Sequence, residues 1–321
     1  MSTVASAEFW AFVGVVSGIY TVLALGIQLE FGFAGLLNFG HVAFMAIGAY
    51  SMAILTVKAG LSMWLAAVLG ILLAAASGLL LGLPTLRLRG DYFAIVTIAF
   101  SEIVRYVATN EDSLTGGSQG TINLSGPGAA AQYNGQWERF QAWLQQTLHI
   151  GAKDAAMLLV VWVVALGLTA ALALAMRTPW GRVLKAVRED EDVAASLGKN
   201  VLAYKLQALA LGSAAAGLAG CLYAWQFSFF SPDDFAPLLT FFAWMIVILG
   251  GLGRTFAVPV GALAFGLVFA GTRFFDFAPF SYFDSAERAY LRLIVIGLLI
   301  ILLVLFRPWG LLGRRQEALL E

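Results

Sequence analysis

The chain is 321 residues long, 60% hydrophobic and only 12% charged, with a formal net charge of zero and a mean hydropathy of +0.85. Soluble domains are about half apolar and a quarter charged, so this composition excludes an ordinary soluble globular protein and indicates an integral membrane protein. The single Cys221 excludes an intrachain disulfide, and His41 and His149 are too few and too scattered for a protein-only metal cluster.

Apolar runs near 10–28, 36–57, 62–83, 92–108, 155–176, 205–225, 238–252, 256–274 and 289–306 predict α-helical spans. Several reach the roughly 20 residues that cross about 30 Å of hydrocarbon, unlike the alternating ten-residue strands of an outer-membrane barrel. The expected fold class is all-α, a polytopic transmembrane helical bundle of about 9–10 membrane spans in a single domain over 1–321. The segment MSTVASAEFW has no Lys or Arg before the first apolar run, unlike a cleaved signal peptide. With 177–203 in the cytoplasm and the sides alternating, twelve of the 19 Lys and Arg residues fall inside, in keeping with the positive-inside bias. The N-terminus then lies outside. A further break within the Gly-rich region 26–48 would reverse that end and make ten spans.

In that region Gly32, Gly35, Gly40 and Gly48 interrupt or line the second span. They allow either a broken helix whose free backbone groups meet a substrate, or close helix packing. Asn38 and His41, at i and i+3, could share one face toward a translocation path; interhelical hydrogen bonding is the plainer use of such a histidine. The stretch LRLRGD (86–91) reads as a cytoplasmic anchor, with Asp91 capping the next helix. Glu102 and Arg105 form an opposite-charge pair within an apolar span, suited to a gate or path or to a structural pair.

The extracytoplasmic segment 109–153 divides in two. DSLTGGSQGTINLSGPG (112–128) has the composition of a turn-rich loop, whereas 132–150 carries Trp137, Phe140, Trp143 and Leu144 at helical spacing. The second part suits a helix lying in the membrane interface or a docking surface for a soluble protein.

The cytoplasmic segment 177–203 is the densest in charge. Arg182, Lys185 and Arg188 make a basic stripe on a short amphipathic helix. The acidic run Glu189 to Asp192 is placed to cap a second helix and Gly198 to end it, with Ala194, Leu197 and Val201 as an apolar ridge. Such a unit is either a solvated loop or a surface that docks a partner. The run GKN (198–200) is no phosphate-binding loop, because Val193 stands where its first Gly belongs and Asn200 where Ser or Thr must reach magnesium. No nucleophile and base set is visible, which leaves a membrane enzyme without chemistry. A self-contained secondary transporter would rest on the one Glu102–Arg105 pair.

The stretch DVAASLG (192–198) resembles the cytoplasmic coupling loop of ATP-binding-cassette (ABC) importer permeases, a Glu-Ala-Ala, three residues, then Gly. Asp192, Val193, Ala194 and Gly198 occupy its four positions. The resemblance extends from about 20 to 313 and follows the inner-membrane permeases of the branched-chain amino acid (LivM-type) family. GFAGLLNFGHVAFMAIGAY (32–50), PTLRLRGDYFAIVTIAFSEIVRYV (84–107), DSLTGGSQG (112–120), GRVLKAVREDEDVAASLG (181–198), GGLGRTFAVPVGA (250–262) and LFRPWGLLG (305–313) are similar to its blocks, in its order. Where the family has a Gly-Pro pair, this chain reads Ala257-Val258-Pro259, which puts the local helix geometry in doubt.

The resemblance implies a type II-like importer permease in the bacterial cytoplasmic membrane, with ATPase coupling through Arg182, Lys185, Arg188, Asp192, Val193, Ala194 and Gly198. Gly35, Gly40, Gly48, Gly250, Gly251 and Gly253 would be structural. It implies two ABC ATPase subunits, a second homologous permease forming a heterodimer or else a second copy, an extracytoplasmic substrate-binding protein and the bilayer as partners, and no nucleic acid. The chain would bind no cofactor, ATP and magnesium belonging to the ATPases. Leucine, isoleucine and valine are the implied cargo, and urea or short amides the alternative.

Overall fold

The computed structural model describes residues 7–88, 90–148, 153–227 and 229–271, with separate positions between 287 and 312. The expected span 289–306 and His149 lie outside the continuously described residues.

The first apolar run forms α1 (Ala7–Ile27), then continues as a π-helical turn, Gln28–Phe33. An irregular stretch leads into α2 (Val42–Val57). The first crossing therefore runs to Phe33 rather than 28, and the second helix starts at 42 rather than 36. The break falls between the two helices and adds no crossing among the described residues. Then come α3 (Met63–Thr85), α4 (Gly90–Asn110), the short α5 (Asp112–Thr115) and α6 (Thr121–Leu148). After them follow α7 (Lys153–Ala175), α8 (Pro179–Glu189), α9 (Glu191–Ser196), α10 (Val201–Phe227), α11 (Leu238–Gly250) and α12 (Ala257–Gly271). The chain is an all-α polytopic membrane bundle.

Uniformly apolar helices sort by depth. The most apolar window of the α1 crossing is 83% buried and that of α10 72%, against 22% for α4 and 28% for α7. The first two therefore form the centre, and the others face the surroundings. Where the helices meet, the sequence supplies glycine. A Cβ at Gly48 would collide with the Gly217 backbone, one at Gly220 with Met45 and one at Gly70 with Gly48. The close seam of α2, α3 and α10 is thus backbone on backbone, which is how helices associate in lipid without a hydrophobic driving force. Trp162 of α7 donates to the Gly14 carbonyl of α1 at 2.9 Å.

Two helices are short. At 1.5 Å per residue, the 16 residues of α2 and 13 of α11 reach about 24 and 20 Å, less than the hydrocarbon thickness. Their N-termini meet inside the bundle, where Thr240 accepts the Val42 N–H at 3.0 Å.

The segment 109–148 is largely helical, which corrects the turn-rich reading of 112–128. Only 116–120 is tight turn, and α6 runs on from Thr121 through Gly126-Pro127-Gly128. Its aromatic ridge packs on the bundle. Trp137 stacks on Trp225 with centroids 5.0 Å apart, and Phe140 meets Trp64 edge-on at 5.0 Å. Gln136 accepts the Met63 N–H at 2.7 Å, capping α3, while Trp143 is 57% exposed on the outer side. Asp91 sits in the first turn of α4 rather than at its cap, where it still favours the positive dipole end. Pro259 lies in the first turn of α12, where an N–H has no intrahelical acceptor to lose.

Candidate functional site

After α7, the helices α8 and α9 form a hairpin fixed at each joint. Leu184 and Val187 are buried while Arg182 and Lys185 face out, as the amphipathic pattern requires. Asp190 accepts from the Asp192 and Val193 N–H groups, both at 2.9 Å, and so is the one member of the acidic run that caps α9. Gly198, at φ +77°, ends it. Its N–H reaches the Ala195 carbonyl at 2.9 Å, and the Lys199 N–H reaches Ala194 at 3.2 Å. These two bonds are a Schellman cap.

The expected ridge divides differently. Ala194 is buried at 3%, but Val193 and Leu197 are 54% and 73% exposed, and Val201 belongs to α10. The six residues of α9 are too few to turn all three apolar side chains to one face. Lys205 pairs with Glu191, and Trp180 donates to Gln207 at 2.8 Å, so α10 holds both helices.

Arg188 is exposed as well but reaches back to the bundle. Its Nη1 donates to the Gly32 carbonyl at 2.8 Å, and its stem lies against Gly35, whose φ of +72° no β-branched residue would adopt readily. Lys185 stands 5.6 Å from the Phe33 ring. The π-helical turn also holds Gln28, fully buried. With its amide turned to satisfy both donors, it accepts the Gly253 and Arg254 N–H groups at 2.9 and 2.7 Å. Gly250, Gly251 and Gly253 form the turn after α11, and Gly250 abuts the Ala257 backbone. The loop helix, the π-helical turn and the 250–256 turn thus meet in one hub.

From that hub the π-helical turn carries Glu30 into a buried polar centre. Glu30, Asn38 and His41 are each at most 1% exposed. Asn38 donates to Glu30 Oε2 at 2.8 Å, and His41 Nδ1 lies 3.2 Å from the same oxygen, outside good hydrogen-bond geometry. Glu30 Oε1 and His41 Nε2 have no partner. The backbone around them is held from outside: Trp244 donates to the Asn38 carbonyl at 3.0 Å, and Thr97 accepts the Phe39 N–H at 3.1 Å. A Cβ at Gly40 would strike the Thr97 carbonyl. Gly35 thus lies in the irregular stretch at positive φ, and Gly40 and Gly48 at close backbone contacts.

Glu102 and Arg105 are a pair, joined by contacts of 2.7 to 3.3 Å, and Arg105 extends to Asp233 at 2.9 Å. This bridge ties α4 to the loop before α11. It is not joined to the Glu30 centre.

A family model described as "Branched-chain amino acid transport system / permease component" matches residues 10–304. The chain belongs to that family. Similar members include the high-affinity branched-chain amino acid transport system permease protein LivM of Escherichia coli (strain K12), 36% identical over 308 residues covering 94% of this chain and 69% of that protein. LivM of Salmonella typhimurium (strain LT2) is 34% identical over 307 residues with the same two coverages. LivH of Escherichia coli (strain K12) is 26% identical over 323 residues, 95% of either chain. No solved structure matches.

For a permease of this family, the residues that sequence reasoning missed are Glu30, Gln28, Thr97, Thr240 and Trp244. Glu30 carried a signal: in LGIQLEFGF it is the lone acid between apolar runs, and an ionisable residue at that depth is a functional candidate. The threonines gave none, because only the tertiary fold brings them to the break.

Proposed function

We propose that this permease forms the membrane path for leucine, isoleucine and valine in an ABC importer of the bacterial cytoplasmic membrane. A soluble binding protein delivers the amino acid on the outer face, and two separate ATPase subunits drive the cycle. The other half of the path is a shorter homologous permease. The chain itself binds no cofactor, ATP and magnesium being held by the ATPases.

The observation that carries this reading is the physical continuity from α9 to the break. Val193 and Leu197 stand exposed on a capped, charged hairpin, the form of a ridge that seats in a partner's groove. Arg188 of the same hairpin grips the π-helical turn, and Glu30 of that turn grips Asn38 at the start of α2. Movement of the hairpin by an ATPase is thereby felt at the meeting point of two half-length helices, where transport proteins place their substrate. The sequence-derived path residues Asn38 and His41 belong to this centre, whereas Glu102 and Arg105 latch its outer side.

The test is reconstitution. Vesicles with the chain, its neighbouring permease, both ATPases and binding protein are expected to accumulate radiolabelled leucine only with ATP, and the chain alone to show neither uptake nor ATP hydrolysis. ATP hydrolysis by the single purified chain would refute the division of labour. Native mass spectrometry reading two copies of this chain per complex would refute the heterodimer.

A further inference from the structure

We infer that a cavity in the outer half of the bundle is a subsite for a small aliphatic zwitterion, with Asp234 receiving its ammonium group. This deepens the transport reading above and rests on it. The cavity has a volume of about 300 Å³ and is bounded by α1, α2, α10, α11, α12 and the loop before α11. That volume is at the lower end of the roughly 300–1,000 Å³ typical of small-molecule pockets.

Its lining has the polarity of an aliphatic amino acid. Val16, Met45 and Phe242 represent an apolar wall, Tyr20 and Tyr223 add two hydroxyls, and Asp234 is the one charged residue among those that line it. The state of Asp234 is what marks it. Its Oδ2 accepts from the Ser231 N–H at 2.7 Å and from the Ser231 hydroxyl at 3.2 Å, a capping box that fixes the side chain. Oδ1 makes no hydrogen bond among the described residues. The neighbouring Asp233 is already held by Arg105 at 2.9 Å. A carboxylate on the wall of an apolar cavity, with one oxygen fixed and the other making no hydrogen bond among the described residues, is suited to an alkylammonium group.

The helix starts on the lining supply the complement. Met45 lies in the first turn of α2, and Leu239, also on the lining, in the first turn of α11. Both short helices therefore start beside the cavity, where their positive dipole ends favour a carboxylate, and the tyrosine hydroxyls can donate to it. A zwitterion would lie with its ammonium outward at Asp234, its carboxylate inward and its side chain against the apolar wall.

The test uses the full complex in vesicles with saturating binding protein, measuring leucine and valine uptake alongside ATP turnover. Asp234→Asn keeps the shape and an acceptor for Ser231 but removes the charge. It is expected to lower uptake of both amino acids at least tenfold while ATP turnover stays within twofold. Val16→Phe reduces the space, and is expected to lower the leucine-to-valine uptake ratio at least fivefold. Unchanged uptake and ratio in both variants overturn the subsite. A parallel fall of uptake and ATP turnover in both, with the ratio unchanged, assigns the two residues to structure and overturns it as well. Wild-type vesicles that carry urea or a short amide but no leucine overturn the transport reading itself, and this is recognisable before any substitution is made.

Discussion

Replacing Gly198 with valine perturbs the α8–α9 hairpin apart from the rest of the permease. The residue sits at φ +77° with nothing within 4 Å of a built Cβ, so a side chain meets no steric wall and the whole cost is in the backbone. An L-residue in the left-handed region costs roughly 1–2 kcal/mol, and a β-branched one is at the upper end. If the chain leaves that region, the two cap bonds at 2.9 and 3.2 Å go with it, each contributing about 0.5–1.5 kcal/mol. Either route costs a few kcal/mol at most, against a folding stability of order 5–15 kcal/mol, and the damage is confined to the exit of α9. The variant should insert at wild-type abundance, yet Val193 and Leu197 would no longer be presented at a fixed angle. Leucine uptake in vesicles should drop below a tenth of wild type, with less ATPase co-purifying. Gly198→Asn, which tolerates left-handed backbone, should keep most of both. A valine variant with wild-type uptake and ATPase binding would refute the coupling role, as would an asparagine variant as defective as the valine one.

Arg188→Met should leave ATPase association intact but cut uptake at least fivefold, because its guanidinium is engaged by the Gly32 carbonyl; loss of ATPase binding in a pull-down would place it on the docking face instead. Glu30→Ala removes the acceptor of Asn38 in a fully buried centre, a cost of roughly 1–3 kcal/mol for each group left unpartnered, so membrane abundance and thermal stability should fall. Glu30→Gln, with an acceptor retained, should restore abundance, and equal abundance of the two variants by immunoblot would contradict the argument. Trp137→Ala deletes a 2%-exposed ring stacked on Trp225, which for a large core aromatic costs about 3–5 kcal/mol; α6 should become sensitive to external protease in intact vesicles, and an unchanged digestion rate would mean its docking rests elsewhere.

Much of the fold was legible because the bilayer imposes one rule, an apolar run of sufficient length. The runs at 62–83, 92–108, 155–176 and 205–225 correspond to α3, α4, α7 and α10, with ends shifted by a few residues. Reading failed where lipid is not the solvent. Gly126-Pro127-Gly128 suggests a turn by propensity, yet its segment is helical within α6, whose later ridge docks on Trp64 and Trp225. The start of α2 was misplaced because Asn38 and His41 look compatible with a continuing helix, and only the donor from Trp244 and the acceptors on Thr97 and Thr240 settle the irregular backbone. In the coupling segment the caps at Asp190 and Gly198 were readable, since capping is local. The inward turn of Arg188 was not, since its acceptor is 156 residues away in sequence.

The seam of Gly48, Gly70, Gly217 and Gly220 decides how this permease can vary. Where backbone touches backbone, a methyl and a hydroxymethyl group do equal harm, and hydrophobicity ceases to rank substitutions. Tolerance there is set by volume, so the three helices can drift in sequence more freely on every face except this one, where glycine meets backbone or the methyl of Ala74.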